Sequence, residues 1–317
     1  MKLQMKSSET YHIGVDISKD KIDVFTRHDN QVHTIANQLE SIDRLIADLA
    51  KHGKIHIVCE ATGGYEKALL NAAFKADCPI SLMNARCVRA FADAMSRHAK
   101  TDAIDAEMIT RFAETKQPSP MTPLTPTQGA LRALSRRRAS LVSNLTDEKN
   151  AAHKADNTIV KRDIKSHIRL LEGRIAKIEK ELDKIITSDE ELLARRKRME
   201  SITGVGRAFS NAMLTEMPEL GSLRDKQASA LVGVAPFNKD SGKHKGHRII
   251  MGGRGQLRRS LYMGAQSAAR FNPVLSEFYN RLRGKGKSHH VAVIAVMRKL
   301  VCLLNRMMAD PSFKPQS

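Results

Sequence analysis

Tyr11-His12-Ile13-Gly14-Val15-Asp16-Ile17-Ser18 alternates apolar and polar or small residues and is rich in β-branched side chains, the period-two pattern of a strand. A short turn through Lys19 and Asp20 leads to a second strand over Lys21–His28. The His28-Asp29-Asn30 turn leads to a third over Gln31–Ala36, so the chain opens with an antiparallel meander. Leu39, Ile42, Leu45, Ile46 and Leu49 then recur at helical spacing, and Gly53 ends that helix. Lys54–Cys59, with Ile55, Ile57 and Val58, reads as a buried strand. Gly63-Gly64 opens a helix through Ala68, Leu69, Ala72 and Ala73. Pro79–Met83 is a further strand, and a helix through Val88, Phe91 and Met95 follows. The order is β-β-β-α-β-α-β-α.

That is the ribonuclease-H-like order: a mixed sheet with three antiparallel strands first and parallel crossovers after. It decides where four acids lie. Asp16 is on the central first strand. Glu60, in Val58-Cys59-Glu60-Ala61-Thr62, ends the fourth strand, which is expected beside the first. Asp102 and Asp105, in Lys100-Thr101-Asp102-Ala103-Ile104-Asp105-Ala106-Glu107, begin a helical pattern that runs on through Met108, Ile109 and Phe112. Three-residue spacing puts both carboxylates on one helix face. Alone, such a pair reads as first-turn acids that complement the helix dipole. Ligands of α/β sheets, however, gather at the carboxyl ends of strands, and like charges held close raise each other's pKa unless a cation sits between them. The four acids are therefore expected to hold Mg²⁺ or Mn²⁺, two ions per site about 3.5–4 Å apart. Carboxylates and water suit such hard cations.

Pro118, Pro120, Pro123 and Pro126 mark a linker over residues 118–128 that closes a first domain at residue 117. In residues 129–199, Ile164, Ile168, Leu171, Ile175, Ile178, Leu182 and Ile185 alternate spacings of four and three, a coiled-coil seam. Leu131, Leu134, Leu141, Leu145 and Ala152 keep the same period, with Arg138 and Glu148 in seam positions. A hairpin around Asp156–Asp163 is expected to fold the two helices into an antiparallel dimerisation arm. Residues 200–317 read as mainly helical. There Gly204-Val205-Gly206-Arg207 between helices resembles a helix-hairpin-helix turn whose backbone N–H groups face a phosphate. Ser241 lies in a Gly-flanked loop with Lys243, His244, Lys245 and Arg248, followed by Arg254, Arg258 and Arg259. A cationic field of that kind can hold a phosphate and favours a serine alkoxide, although most loop serines only cap or turn. His289-His290 reads as a helix start.

The formal charge is +19, and it is not evenly spread. Residues 1–117 carry 16 basic and 16 acidic side chains; residues 238–317 carry 16 and 3. A neutral acid-bearing half followed by a strongly basic one points to a polyanion, above all nucleic acid. With 4% aromatic residues and no Trp, stacking platforms are excluded as the main grip and phosphate contacts expected instead. No apolar run is long enough for a membrane span, and Met1–Glu9 lacks the apolar segment of a signal peptide. Cys59, Cys78, Cys87 and Cys302 show no metal-ligand spacing. The expected location is the cytoplasm, associated with the nucleoid.

These residues resemble a known family: bacterial insertion-sequence transposases that pair a RuvC-like DEDD domain with a C-terminal transposase domain, the bridge-RNA-guided recombinases. Gly14-Val15-Asp16-Ile17-Ser18-Lys19, Cys59-Glu60-Ala61-Thr62-Gly63 and Lys100-Thr101-Asp102-Ala103-Ile104-Asp105-Ala106 look like its three acid blocks. Ile202-Thr203-Gly204-Val205-Gly206, Leu231-Val232-Gly233-Val234-Ala235-Pro236, Asp240-Ser241-Gly242 and Gly253-Arg254-Gly255 with Leu257-Arg258-Arg259-Ser260-Leu261-Tyr262 look like its transposase signature. The resemblance implies a RuvC-like catalytic domain over 1–117 and a transposase domain over 200–317 with Ser241 as nucleophile. It further implies a phosphoserine link to cleaved donor or target DNA, a guide RNA that selects both sites, and dimers assembling to tetramers in which acids and serine come from different protomers. Gly204, Gly206, Arg207, Lys243, Lys245, Arg248, Arg254, Arg258 and Arg259 are then the expected nucleic-acid contacts. Pilin-gene inverting recombinases share this plan. A RuvC-like junction nuclease would need the four acids but not Ser241. An actin-like kinase would need a second phosphate-binding hairpin, which the sequence lacks. A non-catalytic RNA-binding scaffold would not need Asp102.

Overall fold

The structure, a computed structural model, describes residues 10–96, 102–238, 246 and 248–314. They form two compact units, Met1–Pro123 and Leu124–Ser317.

The first unit is built on five strands: β1 (Tyr11–Ile17), β2 (Lys21–Thr26), β3 (Gln31–Ala36), β4 (Ile55–Glu60) and β5 (Ile80–Met83). Their spatial order is β3-β2-β1-β4-β5. The first three are antiparallel, while β4 runs parallel to β1 and β5 parallel to β4. The mixed sheet anticipated from the element order is thus formed. The helices are α1 (Leu39–Ala50), α2 (Lys67–Lys75), α3 (Ala85–Ala94) and α4 (Asp102–Lys116). Strand alternation divides the side chains between two layers. Ile13, Val15, Ile17, Ile57 and Cys59 pack with Ile42, Ile46 and Leu69 of α1 and α2. On the other face Val58 packs with Val88 of α3 and Ile109 and Phe112 of α4. By the same alternation His12, Gly14 and Asp16 of β1, and His56 and Glu60 of β4, lie on the α4 side.

The Pro-rich stretch is not free along its length. Met121 N–H donates to Ile80 O at 2.8 Å, and Ser81 Oγ donates to Ser119 O at 2.8 Å, so its first half runs along β5. Its second half starts α5 (Pro126–Lys154): Thr125 and Gln128 form a capping box and Pro126 occupies the first turn.

The second unit continues with α6 (Thr158–Thr187), α7 (Glu190–Glu200), α8 (Arg207–Glu216), α9 (Asp225–Val232), a ribbon of β6 (Pro236–Phe237) and β7 (Ile249–Ile250), α10 (Gly255–Phe271), α11 (Pro273–Gly284) and α12 (His289–Ala309). α5 and α6 form an antiparallel pair. The two charges that interrupt the α5 seam are answered across it: Arg138 Nε donates to Glu179 Oε1 at 2.7 Å, and His167 Nδ1 meets Glu148 Oε1 at 2.9 Å. The segment to residue 199 is not two helices but three, because Asp189 caps a new one, α7. α11 was not anticipated either, although Asn272 as N-cap and Pro273 in the first turn are its start signal. The core of this unit surrounds α12, whose Val296, Leu300, Val301 and Leu304 are wholly buried. Among the described residues no helix is long and apolar enough to cross a membrane.

Candidate active site

Asp16 and Glu60 lie on neighbouring parallel strands. Val15 pairs with Cys59, and one step further along the two strands brings Asp16 beside Glu60 at their carboxyl ends, on the α4 face. Asp16 also accepts a 3.1 Å hydrogen bond from Ile17 N–H.

α4 crosses this face in a fixed direction. Its residue Glu114 accepts from Nε and Nη2 of Arg27 at 2.8 and 2.7 Å, near the start of β1. Further up, Thr110 Oγ1 accepts from Gly14 N–H at 2.8 Å. A Cβ at Gly14 would lie 2.2 Å from Ala106 O, so only glycine lets the helix backbone approach this closely. The helix therefore runs antiparallel to β1, and its first turn points toward the strand ends that carry Asp16 and Glu60. Half-buried Asp105 is in that turn. Asp102 is the first residue of α4, and its side chain lies outside the described residues. Among the described residues, no three His, Cys, Asp or Glu side chains are arranged to hold a metal ion. Chemically, a donor set of carboxylates suits a hard divalent cation such as Mg²⁺ or Mn²⁺ rather than a thiolate-held iron–sulfur cluster.

Two acids that sequence reasoning passed over frame the site. Asp23 is paired with Asp16 across β1 and β2, but it is engaged by Lys21 Nζ at 3.1 Å and by the Thr34 hydroxyl. Glu66 holds the loop that follows Glu60. Its Oε2 accepts from Thr62 Oγ1 and Gly64 N–H, each at 2.8 Å, and from Thr62 N–H at 3.3 Å. Burial opposes its ionisation, but these hydrogen bonds outweigh that and hold its pKa below the usual range. Thr62 and Glu66, spaced to bridge one turn, were the available signal. The Cys59 thiol, on the opposite face of β4, is pushed up to about 12 by burial, then by the charges of Glu66 and Glu60. It is no nucleophile at neutral pH.

In the second unit, Ser241, Lys243 and Lys245 lie outside the described residues. What is described is the mounting of their loop. Pro236 and Phe237 of β6 pair with Ile250 and Ile249 of β7, a two-stranded ribbon between whose strands Ser241 falls in sequence. Arg254 donates to Glu219 through both terminal nitrogens, at 2.9 and 2.7 Å, and to Glu216 O. Arg258 donates to Gly252 O at 2.7 Å and Gly233 O at 3.3 Å. These two arginines, expected on nucleic acid, hold protein partners at the ribbon's base. Arg248 and Arg259 are exposed, and exposed Arg207 stands 3.6 Å from Asp183. Gly204, with φ of 91°, faces α10: a Cβ there would lie 2.6 Å from Ala268 Cα. It serves helix packing rather than an open phosphate loop. Gly206, by contrast, is the N-cap of α8 and has open space around it.

Comparison with known proteins places this arrangement. A transposase family model of the DEDD, IS110 type matches residues 13–157. The model described as "Transposase IS116/IS110/IS902 family" matches residues 196–280. The "Pilin gene-inverting protein" of Moraxella lacunata is 28% identical over 307 residues, covering 93% of this chain and 94% of that protein. Its Moraxella bovis counterpart gives the same identity and coverage. The "Insertion element IS110 uncharacterized 43.6 kDa protein" of Streptomyces coelicolor is 27% identical over 117 residues, 36% of this chain and 29% of that one. These matches support an IS110/IS116 family transposase, a DNA recombinase/transposase enzyme, with the DEDD model over its first half and the family's second transposase model over its second.

Proposed function

We propose that the protein cuts and rejoins donor and target DNA by serine transesterification assisted by two Mg²⁺ ions. The observation that carries this is the meeting of Asp16 and Glu60 at adjacent strand ends, with the first turn of α4 directed at them. Asp16, Glu60, Asp102 and Asp105 hold the cations. When bound, these supply Lewis-acid charge to the scissile phosphate and to the attacking oxygen.

Ser241, which falls in sequence between the two strands of the ribbon that Arg254 and Arg258 anchor, is the nucleophile. Its Oγ bonds to phosphorus, the bond from phosphorus to a deoxyribose oxygen breaks, and the serine proton ends on that oxygen. A deoxyribose hydroxyl of a second strand then attacks the phosphoserine, and Ser241 recovers a proton. The number of ester bonds is unchanged, so joining needs no nucleotide cofactor. Lys243, Lys245 and Arg248 steady the phosphate from the same loop.

A guide RNA is proposed to choose both DNA sites, which agrees with a chain poor in base-stacking aromatics and rich in positive charge. The α5–α6 hairpin is proposed as the dimerisation arm, on the way to a tetramer whose acids and serine come from different protomers. Ile159 and Leu170, 75% and 52% exposed on α6, support it as a contact surface. Because the Moraxella relatives are named for pilin-gene inversion and align over nearly the whole chain, inversion of a DNA segment is the second reading of the outcome.

The test is a covalent-adduct assay in cells carrying the native locus. After denaturation, DNA should remain attached to wild-type protein through a phosphoserine and to neither Ser241→Ala nor Asp105→Asn. Metal-dependent cutting that persists without adduct in Ser241→Ala would mean that water is the nucleophile and that the protein acts as a RuvC-like nuclease.

A further inference from the structure

Beside the α8 N-terminus lies a trench of about 920 Å³ that the proposed chemistry does not use. Its walls are helical stripes of α5, from Ser135 to Thr146, and of α10, from Gln256 to Ser267. Its floor is the α8 face from Gly206 to Thr215. One end is shut, where Gln256 Nε2 donates to Ser135 O at 3.3 Å across the two walls. The opposite end, at Gly206 and Arg207, is where α8 begins without a side-chain cap, leaving its first amides and the positive end of its dipole facing outward.

Asn211 sits on the floor between the two ends. It is 8% exposed, lines the trench, and its Oδ1 has no hydrogen-bond partner among the described residues. A buried amide without a partner costs about 1–3 kcal/mol and is rare in folded chains. Such a group is explained when a ligand completes it. Two carboxylates also line the trench: Glu179 of α6, already answered by Arg138, and exposed Asp147 of α5; exposed Arg259 lies on the α10 wall.

We infer that this trench binds an unpaired nucleotide of DNA or RNA, with its phosphate at the α8 N-terminus and its base hydrogen-bonded by Asn211. The inference rests on the reading of the protein as a nucleic-acid enzyme. A carboxamide presents a donor and an acceptor side by side, which matches the edge of a base. The phosphate takes the amides that follow Gly206, with Arg207 and Arg259 in reach of the neighbouring backbone. The floor is a single helix, about 10–12 Å across with its side chains, so the guest assigned to it is one nucleotide rather than a duplex. The shut end favours a nucleotide turned out of its stack over a strand passing straight through.

The test uses the full-length protein in EDTA and measures fluorescence anisotropy with three probes: a single-stranded DNA 12-mer, the same sequence in RNA, and a DNA hairpin duplex. Asn211→Leu should weaken single-strand binding about tenfold, the worth of one good base contact, leave duplex binding unchanged, and raise the melting temperature by removing the unpartnered amide. Gly206→Asp should also weaken single-strand binding roughly tenfold through charge repulsion at the phosphate position, while the new N-cap preserves the helix. Loss confined to one of DNA or RNA names the natural strand and supports the site. If single-strand affinity is unchanged in Gly206→Asp, or if Asn211→Leu weakens duplex and single strand alike, the trench is not a nucleotide site and the serine chemistry still stands. If none of the three probes binds wild-type protein, the parent reading falls with it.

Discussion

Gly14 N–H donates to Thr110 Oγ1 at 2.8 Å, and Thr110 Oγ1 donates in turn to Ala106 O at 3.2 Å. This relay joins the strand bearing Asp16 to the helix bearing Asp105, and Thr110 is fully buried. Thr110→Val keeps the shape but leaves the Gly14 amide unpaired. It should cost about 1–3 kcal/mol, read as a lower melting temperature. Gly14→Ala should cost more, because its Cβ would meet Ala106 O at 2.2 Å and Thr110 N at 2.5 Å, both backbone atoms. It should abolish metal-dependent cutting as well, by lifting α4 from the acids.

A second relay makes the sheet unit sensitive to acid. His56 Nε2 lies 2.9 Å from Ser81 Oγ, whose proton is committed to Ser119 O, so His56 Nε2 must be the donor. Burial, then the charge of His12, lowers the His56 pKa to about 4. An unfolded histidine titrates near 6.5, so the unfolded chain takes up a proton first as pH falls. The stability that neutral His56 contributes is whole above about pH 6.5 and is lost progressively toward pH 4, by roughly 3 kcal/mol. Melting temperatures measured at pH 7 and pH 5 should differ more for wild type than for His56→Gln.

The sheet half was legible because its signals are local and periodic. The alternation in Tyr11–Ile17 and the helical spacing of Ile42, Ile46 and Leu49 each fix an element, and element order fixes the strand order. The acids followed from that order. The basic half was less legible because charge does not say what it pairs with. Arg254 and Arg258 look like phosphate contacts in sequence, yet their partners are Glu219 and the carbonyls of Gly233 and Gly252. Those partners are 6 to 35 residues away, and no spacing rule links them. Asn211 carried no signal at all, since a lone Asn within a helical pattern predicts nothing about burial.

The Arg254–Glu219 pair should act on the ribbon more than on the fold. Both side chains are about a third exposed, so the pair itself contributes only about 1 kcal/mol. Arg254→Lys loses the two-pronged geometry. It should lower the melting temperature by a few degrees at most, yet reduce DNA joining by at least tenfold through a displaced Ser241 loop. An equal, small loss in both measurements would mean that the arginine only supports stability. Burial opposes Glu219 ionisation, but Arg254 holds its pKa below the usual value, so this contribution is present at neutral pH and lost on acidification.

The acid site makes a prediction that needs no DNA. Asp16 and Glu60 sit on adjacent strands, and a fold that brings carboxylates together raises its own energy until a cation neutralises them. A cation that binds only the folded chain stabilises it by mass action, about 2.7 kcal/mol at a hundredfold excess over its Kd. Adding Mg²⁺ or Mn²⁺ to EDTA-treated protein should therefore raise the melting temperature by several degrees, and Ca²⁺ should do so less where tight octahedral geometry is required. Asp16→Asn should behave oppositely in the two conditions. Without metal it should melt at or above the wild-type temperature, because one repelling charge is gone. With metal it should show little further rise. A variant that is less stable than wild type in EDTA and still responds fully to Mg²⁺ would place the cation elsewhere and make Asp16 a structural residue.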